Sequence, residues 1–336
     1  MRIHFTTLIF AFTVLLISKD LRAQQDPHYS QFMYNKLLFN AGYAGATDGK
    51  ICVTLLNRTQ WTGFGGQTVN GLAQGAAPTN LVGSINTSLG KNQRIGIGGT
   101  IARDELGFET TLVPRLTLSY RQPIGSDGNL AAGVGIGSMQ RTLDGTKLKA
   151  IDPNDPKVPT EAVSGTALDF DFGLYYTKSN LLGVVDNFYA GLSATHLNQN
   201  EIRYEWGSNS TTINSSLHYY FVTGADYVLN SSFTLNPNVL VKQSPGKLQT
   251  DLNCMVIWNQ NIKGGLTWRP VDAVVAMVGY EFPFGLMAGY SYDLTTTKIL
   301  NYSSGSHEIM VRYCFGVKIP PRNPPPVRSR YTPRFM

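Results

Sequence analysis

The chain has 336 residues and a formal net charge of +6, yet only 15% of it is charged, and it holds 34 Gly, 16 Phe and 17 Tyr. That balance is poor for a soluble helical protein, and a mean hydropathy of −0.11 without an apolar run of about 18–20 residues excludes a helical membrane bundle. It suits a β-barrel membrane protein, in which half of each strand faces away from lipid.

Residues 1–23 read as a secretory signal peptide. Arg2 supplies the charge, Leu8–Ile17 an apolar core too short to span a bilayer, and Leu21-Arg-Ala23 a cleavage site before Gln24. No cysteine follows that site, which argues against a lipoprotein anchor. Removing Arg2, Lys19, Arg22 and Asp20 leaves a mature charge of +4. Residues 316–336 hold Lys318, Arg322, Arg328, Arg330 and Arg334 and no acid, so they carry +5 and the rest carries −1. Nucleic-acid binding by the body is therefore not expected.

Residues 24–49 are rich in aromatic residues and Asn without period two, and are expected to form a plug segment ahead of the barrel. Fourteen strands are expected next, over 50–61, 79–89, 94–103, 108–122, 129–143, 166–178, 186–199, 216–229, 231–243, 248–260, 261–269, 272–281, 284–294 and 306–317. The alternation is plain in 166–178, where Leu168, Phe170, Phe172, Leu174 and Tyr176 oppose Asp169, Asp171, Gly173 and Tyr175. Period two specifies a strand. Most of these spans exceed the 5–6 residues usual in soluble sandwiches and suit tilted membrane strands.

The connections sort by parity. Those at even positions are short, and the long ones, 62–78, 144–165, 200–215 and 295–305, all fall at odd positions. Outer-membrane barrels have short periplasmic turns and longer external loops, and an even strand count returns both termini to the periplasm. Residues 318–336 hold six of the 17 prolines and read as an extended, flexible periplasmic tail.

Chemistry-bearing patterns are weak. Gly133-Val-Gly-Ile-Gly137 and Gly96-Ile-Gly-Gly99 lack the full phosphate-loop spacing and a following helix. The register instead puts Gly96, Gly98, Gly133, Gly135, Gly137 and Gly173 on the lumen face, where missing side chains make room for another backbone. The expected occupant is segment 29–46, whose Phe32, Tyr34, Asn35, Phe39, Asn40 and Tyr43 need partners. That segment is expected in the periplasmic half. His28, His196, His218 and His307 show no metal-ligand spacing, so no metal is expected. Asp152-Pro-Asn-Asp-Pro156 offers oxygen ligands out of calcium-loop order. No Gly-x-Ser-x-Gly elbow exists, and no enzyme or cofactor is expected. Asp169 and Asp171, with Arg58, Arg115, Arg121 and Arg312, read as salt-bridged lumen filling rather than as an acid–base pair. Cys254 should meet lipid. Cys52 and Cys314 should face the lumen on the paired first and last strands, within disulfide range.

Several stretches resemble the PorP/SprF family of outer-membrane proteins of the type IX secretion system. They are Asp169-Phe-Asp-Phe-Gly-Leu-Tyr-Tyr176, Phe188-Tyr-Ala-Gly-Leu-Ser-Ala-Thr-His-Leu-Asn-Gln199, Asp26-Pro-His-Tyr-Ser-Gln-Phe-Met-Tyr-Asn35 through Asn40-Ala-Gly-Tyr-Ala-Gly45, Arg58-Thr-Gln-Trp61, and Gly289-Tyr-Ser-Tyr-Asp293 with Ser306-His-Glu308. Ala41 departs from the family's usual proline. The resemblance implies a non-enzymatic role in secretion or gliding. The protein would link the outer membrane to periplasmic machinery, or export and anchor a large secreted adhesin. In the tail, Arg328, Arg330, Tyr331, Pro333, Arg334 and Phe335 are the expected contacts to a periplasmic secretion or gliding protein, or to the cell wall. The alternative is an outer-membrane channel or hydrophobic-substrate transporter of the fatty-acid-transporter type.

Overall fold

In a computed structural model, residues 26–64, 77–90, 92–148, 150–152, 155–181 and 183–316 are described. The expected signal peptide and the expected tail lie outside these residues, as do Pro153 and Asn154 of the oxygen-rich loop.

The strands are β1 (Lys50–Thr59), β2 (Thr79–Leu89), β3 (Ile95–Leu106), β4 (Glu109–Ile124), β5 (Gly128–Asp144), β6 (Ala162–Lys178), β7 (Val185–Thr195), β8 (Glu201–Trp206), β9 (Asn209–Asn214), β10 (His218–Val228), β11 (Phe233–Ser244), β12 (Lys247–Trp258), β13 (Ile262–Arg269), β14 (Ala273–Glu281), β15 (Leu286–Thr295) and β16 (Ser306–Gly316). Fourteen of them close into one antiparallel barrel, with β1 pairing β16 and β7 pairing β10. The division near Gln260 falls where expected, because Asn259 and Gln260 both take positive φ and reverse the chain.

Period two explains the side-chain distribution. Leu116, Leu168, Leu192, Leu266, Val278 and Ile309 lie exposed on the outside, while Thr117, Asp169, Ser193, Thr267 and Glu308 are buried inside. This inversion of a soluble core is the mark of a lipid-facing barrel with a polar lumen. The long connections 60–78, 145–161, 196–217 and 296–305 all emerge at one rim.

One of these is not the plain loop expected. Residues 201–214 form a hairpin, β8 with β9, outside the barrel sheet. Its Ile202 and Tyr204 are fully buried, and the Tyr204 hydroxyl donates to Glu109 Oε1 at 2.9 Å. The hairpin thus packs back on the barrel rim rather than waving free.

The segment ahead of β1 enters the barrel. Three short 3-10 turns, Phe32–Tyr34, Lys36–Leu38 and Ala41–Tyr43, leave Phe32, Met33, Leu37, Phe39, Ala41, Tyr43 and Ala44 buried. All of these but Ala41 form an apolar cluster with Tyr175, Tyr189, Tyr220, Val222, Met255 and Met277 of the barrel wall.

The path of this segment differs from expectation. Residues 41–46 lie toward the rim of short connections, but Asp26 contacts His196 and His218, which flank the long connection 196–217. The segment threads the lumen from end to end instead of staying in one half. Both termini were expected on the short-connection side. The termini themselves lie outside the described residues; Gly316 ends β16 on the short-connection side, while Asp26 sits at the opposite rim. The physical reason is the polar network of the far half, which fixes Asp26, Ser30 and Gln31.

Candidate functional site

The lumen surface between the entering segment and the barrel wall concentrates the buried charge. At its centre, Arg58 of β1 reaches Asp293 of β15 at 2.8 Å and Glu308 of β16 at 3.3 Å. Arg269 of β13 extends the chain, meeting Asp251 at 2.8 Å and Asp293 at 3.1 Å. All five side chains are buried. Each sits on the inward register of a different strand, so barrel closure brings them together.

The entering segment completes this network. The backbone N–H groups of Ser30 and Gln31 donate to the two oxygens of Glu308, each at 2.8 Å. Ser30 Oγ donates to Asp293 and accepts from Arg58 at 2.8 Å. A buried carboxylate held by two N–H groups and a guanidinium has its charge compensated, which makes burial tolerable.

A second network lies across the lumen. Arg115 contacts Asp169 at 3.0 Å and Asp171 at 2.5 Å, and also donates to the Leu38 carbonyl at 3.1 Å. His196 places Nδ1 2.8 Å from Asp169 and Nε2 3.0 Å from Asp26. Burial lowers the His196 pKa, but Asp26 and Asp169 outweigh it and raise it to about 10. Tyr220 donates to Asp26 Oδ2 at 2.5 Å, and Lys242 to the Asp26 carbonyl at 2.5 Å.

The residues of the entering segment singled out in the sequence all reach barrel atoms. Phe39 stacks on Tyr220 with centroids 5.5 Å apart, and Tyr43 meets Tyr175 edge-on at 5.2 Å. Phe32 joins the same apolar cluster, and the Tyr34 hydroxyl lies 3.4 Å from Met255 Sδ. Asn35 accepts from Ser84 Oγ at 2.9 Å. Asn40 accepts from Gly42 N at 2.8 Å and donates to the Leu174 carbonyl at 3.1 Å.

Of the six lumen residues, Arg58 is drawn into the first network and Arg115, Asp169 and Asp171 into the second. Arg121 and Arg312 form no ion pair among the described residues. Arg121 packs beside Gly45, and Arg312 lies 3.6 Å from Cys52 Sγ. Ion-paired filling is thus a property of two arginines out of these four. Gly96, Gly98, Gly133 and Gly173 face the segment, whereas Gly135 and Gly137 make room for Arg115. The tail contacts expected at Arg328, Arg330, Tyr331, Pro333, Arg334 and Phe335 lie outside the described residues.

Cys52 and Cys314 are directly paired in register and joined by a disulfide, with Cα atoms 4.1 Å apart. The link ties the first strand to the last. Cys254 is free and exposed on the outer face.

Sequence reasoning missed Asp251, Arg269, Asp293 and Glu308 as one network, and missed the approach of Asp26 to His196 and His218. Inward register at Asp251, Arg269 and Asp293 was a usable signal for the first. Residues separated by 170 and 192 positions gave none for the second.

Comparison with solved structures gives matches of low identity. A FadL homologue from Pseudomonas aeruginosa is 11% identical, with 87% of this chain and 95% of that one covered and a TM-score of 0.46. The CymD monoaromatic hydrocarbon channel is 10% identical, with 86% and 93% covered and a TM-score of 0.48. Omp33 of Acinetobacter baumannii is 6% identical, with 80% and 99% covered and a TM-score of 0.43. Comparison with curated proteins finds no match. The sequence model described as "Type IX secretion system membrane protein PorP/SprF" matches residues 21–313, so the chain belongs to the PorP/SprF family and is an outer-membrane component of the type IX secretion system.

Proposed function

We propose that the protein is a non-enzymatic, closed-lumen anchor that couples the outer membrane to the periplasmic part of the type IX secretion or gliding machinery. One observation carries this reading. Residues 26–46 occupy the lumen and are fixed to its wall by the Ser30–Arg58–Asp293–Glu308 network at one side and the Asp26–His196–Asp169–Arg115 network at the other. A free-flowing pore needs the cross-section that this plug fills.

In this reading the short-connection rim is periplasmic, and residues 318–336 leave from it. Arg328, Arg330 and Arg334 pair with carboxylates of a periplasmic partner or the cell wall. The prolines limit the entropy lost on docking. Any secreted adhesin would be anchored at the long-connection face and not exported through this lumen. A fatty-acid-type transporter has less support, because the apolar surface inside the barrel is covered by the segment and two ion-paired networks hold the segment in place.

The experiment is complementation of cells lacking the protein. The full chain is expected to restore type IX secretion. The chain truncated after Gly316 should insert normally and fail to restore it. Full restoration by the truncated chain removes the tail from the function. Uptake of hydrophobic substrates that depends on the protein would favour transport instead.

A further inference from the structure

At the rim of long connections, three potential metal ligands from distant parts of the chain converge. His196 Nε2 lies 3.0 Å from Asp26 Oδ1, and His218 Nδ1 lies 3.8 Å from Asp26 Oδ2. One donor atom from each falls within 4.8 Å of the others. His218 is 2% exposed, and its Nδ1 finds no hydrogen bond of good geometry among the described residues, the Ser216 backbone being its polar neighbour apart from Asp26.

It is not alone. Thr195 Oγ1, Ser215 Oγ and Ser216 Oγ are also buried without partners among the described residues. All four orphaned atoms belong to residues lining the cavity of about 140 Å³ that Asp26 and His196 also bound. Buried polar atoms are nearly always satisfied. Four failures around one cavity point to a polar occupant.

From this geometry we infer a divalent transition-metal site, with zinc as the ion that best fits it. Two imidazoles and one carboxylate make a three-ligand set, and the cavity supplies room for a water in the fourth position. Tetrahedral ligands at about 2.0–2.2 Å stand roughly 3.3 Å from one another. The observed 3.0 and 3.8 Å run to the two different oxygens of Asp26 and lie on either side of that spacing, and all donors fall within 4.8 Å, so the rings must turn inward to close on one ion. As its ring turns, His218 gives up a long 3.5 Å contact from the Asp26 N–H and its interaction with the Ser216 backbone, and Tyr220, which donates to Asp26 Oδ2, must share that oxygen with the ion.

The supporting shell is present. Asp169, itself held by Arg115, contacts His196 Nδ1 at 2.8 Å and leaves Nε2 for the ion. A carboxylate behind a ligating imidazole fixes ring orientation and raises ligand basicity. The ion takes the place of the proton shared between His196 Nε2 and Asp26. Lys242, close to the Asp26 carbonyl, opposes a cation, while Asp169 and Asp171 outnumber Arg115 on the other side.

The ligands span three elements: the entering segment, the end of β7 and the start of β10. Zinc would therefore pin the segment to the wall and hold both feet of the 196–217 connection. The test uses the full-length protein in detergent, stripped with EDTA and titrated with zinc chloride by calorimetry, with calcium and magnesium chlorides as controls. One zinc per chain is expected, with no calcium or magnesium uptake. His218→Gln and Asp26→Asn should each weaken binding tenfold or more while heat-modifiable gel mobility reports an intact barrel. His307→Gln, remote from the site, should leave the affinity unchanged. No zinc uptake by the unsubstituted protein, or unchanged affinity in folded His218→Gln, overturns the inference and leaves His196 as a protonated bridge between two aspartates.

Discussion

Gly133 of β5 lies so close to Ala41 that a Cβ at 133 would stand 2.3 Å from the Ala41 carbonyl oxygen. Gly96 of β3 stands in the same relation to the Ala44 carbonyl, at 2.1 Å. Both obstacles are backbone, which cannot swing aside. Gly133→Val should therefore displace the segment while leaving strand pairing intact. The expected result is raised antibiotic sensitivity in cells with normal levels of folded protein. Unchanged permeability would show that the close approach does not govern the seal.

Arg58 compensates two buried carboxylates, Asp293 and Glu308. Arg58→Ala leaves both short of a partner, and breaking such a buried pair costs about 3–5 kcal/mol. A large fall in the melting temperature of the purified barrel is expected. Glu308→Gln should cost less, because the amide oxygen still accepts from one of the Ser30 and Gln31 N–H groups. Equal losses would mean that packing, not charge, sets stability there.

The chain holds three cysteines, and the disulfide between Cys52 and Cys314 leaves Cys254 as the single free thiol. Denatured protein should label at one thiol before reduction and at three after it. Cys52→Ser with Cys314→Ser should cost about 2–5 kcal/mol of stability, through lost restraint on the unfolded chain. Three labelled thiols without reductant would contradict the covalent closure of β1 to β16.

Lys36 is buried, donates to the Met33 carbonyl at 2.7 Å and lies 4.1 Å from the Tyr189 ring centroid. Burial, with Arg312 adding to it and Asp226 opposing it, pushes the Lys36 pKa down to about 7. The unfolded lysine titrates near 10.4. Between about pH 7 and 10.4 the unfolded chain thus binds more protons, so this group makes stability rise with pH. Below pH 7 both states are protonated and the full cost of the buried charge is present. Lys36→Met should melt higher than the parent at pH 6, with the gap narrowing by pH 10. A gap that widens with pH would reverse the assignment.

Much of the fold is legible in the sequence because a membrane barrel writes its register into period two. Leu168, Phe170 and Phe172 against Asp169 and Asp171 give both the strand and its facing. The same register pairs Cys52 with Cys314 and lines up the glycines that admit Ala41 and Ala44. The hairpin 201–214 was less visible. Its Ile202 and Tyr204 alternate with Arg203 and Glu205, but over six residues, and so it reads as part of a connection. The lumen networks were half legible. Inward facing follows from parity, whereas which charges meet depends on barrel closure and on where the entering segment runs. Asp26 with His196 and His218 could not be read from spacing, since no local pattern joins an N-terminal residue to the two ends of a distant connection.

The central claim is that residues 26–46 close the lumen. The most direct measurement is conductance in planar bilayers of the full-length protein beside a variant lacking residues 29–46, both shown to be folded by heat-modifiable mobility. The full-length protein is expected to be electrically silent and the deletion variant to show stable, ohmic openings. Stable openings in the full-length protein, or silence in the folded deletion variant, would contradict it.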